Sequence, residues 1–149
     1  DLISFAIGME ECAYDDLSVE MVYREAFMLE TNAQSAIYLS SFLMKKNDFA
    51  GAVAVLRNFY DENPKDYIIT VNYASALLGI GNAVEAESAL TFAGIPDNNA
   101  SKTKYFYQLG ESYRMQGKKD PARSAFNKAL EYSSSELERK IILKAIQGI

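Results

Sequence analysis

This sequence predicts an all-α fold, an α-solenoid of stacked antiparallel helix pairs, and three observations carry that expectation. First, the chain repeats itself. The segments Asn47-Asp48-Phe49-Ala50-Gly51-Ala52, Gly81-Asn82-Ala83-Val84-Glu85-Ala86 and Gly117-Lys118-Lys119-Asp120-Pro121-Ala122 each set a turn residue five positions ahead of an alanine. Those alanines are 34 and 36 residues apart, a period at which each repeat is one supersecondary unit. Second, the flanking positions share this register. Small Ser40, Ala74 and Gly110, then bulky Leu43, Leu77 and Tyr113, precede the turn; Leu56, Leu90 and Phe126, then Phe59, Ala93 and Ala129, follow it. Third, the small set lets two antiparallel helices approach closely, while the bulky set fills the space between repeats. No unit of this size buries its own apolar face, so three or more must stack.

Taken in order, residues 1–32 read as a degenerate N-terminal helix pair. Helices are expected over 2–12 and 17–30, broken at Tyr14-Asp15-Asp16, where an Asp caps the second. Leu17, Met21, Val22, Ala26 and Leu29 give that second helix an apolar face. Residues 33–136 hold three repeats, at 33–66, 67–102 and 103–136. The two extra residues of the longer spacing lie in Gly94–Ser101, whose Pro and Asn residues mark a loop. The last segment, 137–149, reads as a helix opened by a capping-box pattern at Ser135-Glu136-Leu137-Glu138. Leu137, Ile141, Ile142, Leu143 and Ile146 make it apolar for a terminal helix, which points to continuation into a further repeat.

Composition narrows the function. At 149 residues, 49% hydrophobic and 23% charged, the chain is long enough for one run of small repeats with an ordinary core. No apolar run approaches the roughly 18 residues that cross a bilayer, and Asp1-Leu2-Ile3-Ser4-Phe5 has no basic region of a signal peptide. Cys12 is alone and reads as a small packing residue in a reducing compartment. An intracellular location, cytoplasmic or nuclear, follows. The chain contains no His, which removes the commonest general base and metal ligand and excludes a Ser-His-Asp or Cys-His site. Paired acids such as Glu10-Glu11, Asp15-Asp16 and Asp61-Glu62 fall at helix ends, where capping and helix dipoles account for them. The reading is therefore non-enzymatic, with no catalytic residues, no metal and no cofactor. The net charge of −5 is uneven: residues 1–100 carry 15 acids against 5 bases, and 101–128 carry 7 bases against 2 acids. So acidic a body does not suit nucleic acid. The basic stretch reads as a solvated helix face or as a surface for an acidic partner, including the acidic end of a second copy.

The repeat resembles the tetratricopeptide repeat. Leu109-Gly110, Tyr113, Gly117, Ala122, Phe126 and Ala129 sit at that family's spacings, Phe106 stands near the place of its missing Trp, and Pro64 matches its closing proline. The resemblance covers residues 33–136. It implies a right-handed superhelix whose first helix in each pair lines a concave surface. By that register the inward residues are Gln34, Ile37, Ser41, Met44 and Lys45 in the first repeat, Ile68, Val71, Ser75, Leu78 and Gly79 in the second, and Lys104, Tyr107, Glu111, Arg114 and Met115 in the third. A chaperone carboxylate clamp needs cations and amides where the first two repeats place Ile, Ser and Val, so that use is disfavoured. An apolar groove closed by a basic edge suits a partner protein instead: an amphipathic helix, an extended peptide or a second copy of the chain. The helix over 2–12 is the competing occupant.

Two narrower resemblances bear on the role. The run from Tyr14 through Leu56, with Val84-Glu85-Ala86-Glu87 and Leu109-Gly110-Glu111-Ser112-Tyr113, looks like the N-terminal domain of tetratricopeptide scaffold subunits of the anaphase-promoting complex, which implies a homodimerising ubiquitin-ligase scaffold. Leu39-Ser40-Ser41-Phe42-Leu43-Met44 followed by Asp48-Phe49-Ala50 looks like the type III secretion needle-subunit chaperones, whose groove shields an amphipathic helix. A docking domain of a larger enzyme is the third reading.

Overall fold

The computed structural model describes all 149 residues and contains nine α-helices and no strand. They are α1 (Leu2–Glu11), α2 (Asp16–Leu29), α3 (Ala33–Lys45), α4 (Phe49–Glu62), α5 (Tyr67–Gly79), α6 (Ala83–Ala93), α7 (Asn99–Met115), α8 (Lys119–Tyr132) and α9 (Glu136–Gln147). Most start sites are written in the sequence as short polar side chains. Asp1, Asp15, Asn32, Asp48, Asp66, Asn82, Asn98 and Ser135 each accept a hydrogen bond from the backbone N–H three residues on. Each such cap stabilises a helix start by about 1 kcal/mol. At Asn32 the box is reciprocal, with Ser35 answering the Asn32 N–H. At Ser135 only one half forms, through Glu138 N–H. α7 begins at Asn99 because Asn98 caps it, so its first turn lies within the span read as the second repeat.

The helix pairs turn on left-handed residues. Asn47, Gly81 and Gly117, the three turn positions of the repeat, have φ of 61°, 82° and 74°, a conformation that Gly and Asn adopt most readily. Ala52, Ala86 and Ala122 are wholly buried, as are Ser40 and Ala74. At Gly110 even a methyl is too much, since a Cβ there would lie 2.7 Å from the Phe126 ring. Leu43, Leu56, Leu77, Leu90 and Phe126 join one continuous core that runs from Ala6 to Ile142. Aromatic pairs stitch its layers: Tyr23 with Phe42 at 5.4 Å between centroids, Tyr60 stacked on Tyr73 at 4.7 Å, and Phe106 on Tyr132 at 5.8 Å.

Each helix packs on its neighbours in sequence, and in addition α3 packs on α5 and α5 on α7. The even-numbered helices lack such mutual packing. The stack therefore curves with the odd-numbered helices on its inner side. α1 pairs with α2 and stands next to α3 as the first member of that inner row, and does not lie across α5. It thereby covers part of the inner face of α3, beside Ile37, Ser41 and Lys45. Cys12 also departs from expectation: it follows the last turn of α1, where no second layer reaches it, and is exposed.

Candidate functional site: the inner surface

The inner row presents three stretches. At the N-terminal end a cleft of about 510 Å³ opens between α1 and α3, with Ile7, Ile37 and Ser41 on its walls and Glu10 and Lys45 at its rim. Glu10 is its electrostatic node. Tyr23 Oη donates to Glu10 Oε1 at 2.5 Å, and Lys45 Nζ donates to Oε2 at 2.8 Å. Partial burial raises the Glu10 pKa, but the hydrogen bonds from Lys45 and Tyr23 outweigh it and hold the carboxyl below its ordinary range. Burial and the bond to Glu10 push the Tyr23 phenol well above its usual value. A pair of acids at a helix end gave no sign in the sequence that one would tie three helices together.

In the middle, Val71 and Ser75 are tied to the next repeat. Gln108 Nε2 donates to the Val71 carbonyl at 3.1 Å and to Ser75 Oγ, while Gln108 Oε1 is buried without a partner. Leu78 and Met44 are half-buried against the core. Ile68 is 58% exposed on the first turn of α5. Gly79 leaves the inner set, because its α-carbon faces the Phe49 ring of α4, which a Cβ would overlap.

At the C-terminal end a cleft of about 440 Å³ runs between α7 and α9, lined by Tyr107, Glu111 and Arg114 on one wall and Ile141 and Lys144 on the other. Lys104 and Tyr107 share a smaller recess of about 190 Å³ with Ile141. Arg114 forms a two-pronged contact with Glu111, 3.2 Å from Nε and 2.7 Å from Nη2. That bond raises its already high pKa and takes up much of its charge. Burial, with Glu111 close by, also raises the Tyr107 phenol.

The inward residues read from the sequence thus occupy one row of helices in three separate groups: Ile37 with Ser41, Val71 with Ser75, and Lys104, Tyr107 and Arg114 with α9. Sequence reasoning missed Ile7, Glu10, Gln108 and Ile141. The first and last lie outside the well-formed repeats, and the polar pair makes contacts across 33 to 37 residues or between unlike helices, which no local spacing reveals. No group of three or more Cys, Asp or Glu side chains is placed to hold a metal ion, and no helix is long and apolar enough to cross a membrane. What the surface offers is apolar floor with charged rims.

Residues 105–134 match the family model of the tetratricopeptide repeat. Among solved structures, the fold is similar to MamA (residues 41 to the end) from Desulfovibrio magneticus RS-1, with a TM-score of 0.70 at 14% identity, covering 99% of this chain and 93% of that one. It is similar to the first tetratricopeptide domain of human RPAP3, with a TM-score of 0.61 at 21% identity over 78% of this chain and 93% of that one. A thermophilic tetratricopeptide protein of Thermus thermophilus aligns with a TM-score of 0.54 at 14% identity, over 98% of this chain and 97% of that one. No curated protein sequence matches the chain.

Proposed function

We propose that this chain, whose fold is similar to tetratricopeptide solenoids, is a non-enzymatic interaction scaffold whose inner surface seats an amphipathic helix of a partner protein. The observation that carries this reading is the composition of that surface. Ile37, Val71, Leu78 and Tyr107 pack on the core with one side and remain half-exposed on the other, and Ile68 is mostly free. A helix presents apolar residues every three to four positions, and a curved row of parallel helices offers matching grooves. Half-exposed apolar floor with cationic residues at its C-terminal end favours a guest with an acidic flank. We place the protein inside the cell, where its exposed thiol stays reduced.

The narrower assignments are finer forms of this proposal. The runs Val84–Glu87 and Leu109–Tyr113 support a homodimerising ubiquitin-ligase scaffold of the anaphase-promoting type, and Leu39–Met44 supports a chaperone for a type III secretion subunit; both rest on local likeness. A docking domain of a larger enzyme uses the same surface.

Fluorescence anisotropy with a labelled, helix-forming peptide that has a Leu/Ile face and Glu flanks tests the reading. Binding that falls at least tenfold in Ile68→Asp and Leu78→Asp, with helical content unchanged by circular dichroism, supports it. Equal binding by folded variants contradicts it.

A further inference from the structure

The most cationic stretch of the chain is not used up by the inner surface. Residues 101–128 carry seven Lys/Arg against two Asp/Glu. One of those two acids, Glu111, is bonded to Arg114 on the inner side. α7 has two working faces. Tyr107, Glu111 and Arg114 look toward α9. Phe106, Leu109 and Tyr113 lie away from them around the helix and, with Pro121, Ala125 and Lys128 of α8, form a shallow cleft of about 210 Å³.

Three lysines are laid over aromatic rings along this cleft. Lys118 Nζ is 5.5 Å from the Tyr113 ring centroid, Lys128 Nζ 5.2 Å from that of Phe106, and Lys102 Nζ 5.0 Å from that of Tyr132. Tyr113 and Phe106 are two helical turns apart, about 10 Å, and Tyr132 stacks on Phe106 at 5.8 Å. The rings thus form one row, each faced by a cation. The attraction of a cation to a ring face holds in place side chains that otherwise sample many rotamers. Of the three, Lys118 also pairs with Glu87 at 3.0 Å. Lys102, Lys128 and the neighbouring Lys119 and Arg123 have no ion-pair partner. The acids of α8, Asp120 and Glu131, are exposed and bridge to none of them.

We infer that this strip binds an extended, Glu/Asp-rich segment of a partner protein that carries an aliphatic side chain among its acids. Charge selects the acids, since the unpaired lysines offer cations that no group of this chain neutralises. Cleft size selects the extended form. A helix is about 10 Å across with its side chains and does not enter so small a cleft. Side chains two apart on an extended segment share a face, about 7 Å from one another. An aliphatic residue with an acid two positions away on either side therefore fills the cleft while its carboxylates reach the lysines. A nucleic-acid backbone, charged at every step, would run on from the strip onto residues 1–100, which carry 15 acids against 5 bases; a short acidic segment ends with the strip. The inference is independent of the inner-surface reading, because it uses the other face of α7.

Fluorescence anisotropy of the full chain with a labelled peptide of this pattern, Leu with Glu two positions away on either side, tests the inference. The control peptide has Gln for every Glu. The Glu peptide is expected to half-saturate the chain below about 1 mM, to bind at least tenfold tighter than the Gln peptide, and to weaken as salt rises. The double variant Lys102→Glu/Lys128→Glu is expected to bind it at least fivefold less tightly. Lys128 is exposed and Lys102 half-exposed, and circular dichroism verifies the fold. Should the double variant unfold, Lys128→Gln alone is expected to cost about two- to threefold, the range of an exposed ion pair. Ile68→Asp on the inner surface is expected to leave this binding unchanged. No binding up to about 1 mM overturns the inference, as does equal binding by the folded lysine variants. Binding lost in Ile68→Asp but kept in the lysine variants assigns the peptide to the inner surface and also overturns it. So does a single-stranded oligonucleotide that binds more tightly than the peptide and is lost in the same lysine variants.

Discussion

Gly110 lies flat against Phe126, so close that a Cβ on the glycine would sit 2.7 Å from the ring carbons Cδ1 and Cε1. In this pair a small residue on the first helix of the repeat admits a large one from the second. Phe126 is fully buried and has no room to retreat. Gly110→Ala is therefore expected to destabilise the chain by about 1–2 kcal/mol, because overpacking outweighs the gain in helix propensity. Paired with Phe126→Leu, the same change is expected to cost less than the sum of the two single changes, a coupling that urea melts measure.

Gly117 gives the opposite case. A Cβ there meets nothing, but φ is +74°. Gly117→Ala is expected to lose about 1 kcal/mol through backbone strain alone, while Gly117→Asn loses less, because the same turn position at Asn47 is held at φ 61° by an Asn. Thermal melts of the two variants check the order.

Which parts of this architecture could be read from the sequence follows from the range of the interactions involved. The helices of residues 33–136 were legible because turn residues with φ above zero, caps and small residues act locally and recur in register. The exposure of Cys12 was not legible, since it depends on where α1 ends relative to a neighbouring layer. The inner surface was half legible. Ile37, Ser41, Tyr107 and Arg114 follow the repeat register, but Glu10 and Gln108 act through partners 13 to 37 residues away. Gly79 follows the register yet faces α4, because Phe49 at the start of that helix needs the space its side chain would take.

Gln108 bridges two repeats, and one of its atoms has no partner. Gln108→Ala is expected to lose about 1 kcal/mol, the worth of a typical internal hydrogen bond. Gln108→Met fills the same space and also removes the buried, unsatisfied Oε1, so it is expected to lie closer to wild type than Gln108→Ala. Chemical denaturation of the three proteins gives the comparison.

Acid should loosen the N-terminal end. Burial raises the Glu10 pKa, yet Lys45 and Tyr23 bring it below the ordinary 4.5. At Glu87 burial likewise raises the pKa, and Gln116 and Lys118 more than reverse it. A carboxylate depressed in the folded state contributes stability that is present above its unfolded pKa and is lost as pH falls through the folded value. Stability is thus expected to be flat above about pH 5 and to decline below it. Glu10→Gln is expected to be less stable at neutral pH and to show a shallower decline, with Glu87 accounting for what remains. Urea midpoints measured from pH 7 to pH 3 test the slope.

A partner helix is expected to sit along the row of odd-numbered helices, and the proposed function depends on that placement. Amide hydrogen exchange of the full chain, with and without the Leu/Ile-faced, Glu-flanked helical peptide, tests it most directly. Added protection is expected on α3, α5 and α7, along the positions of Ile37, Ile68, Leu78 and Tyr107. Protection confined to α4, α6 and α8 would contradict it.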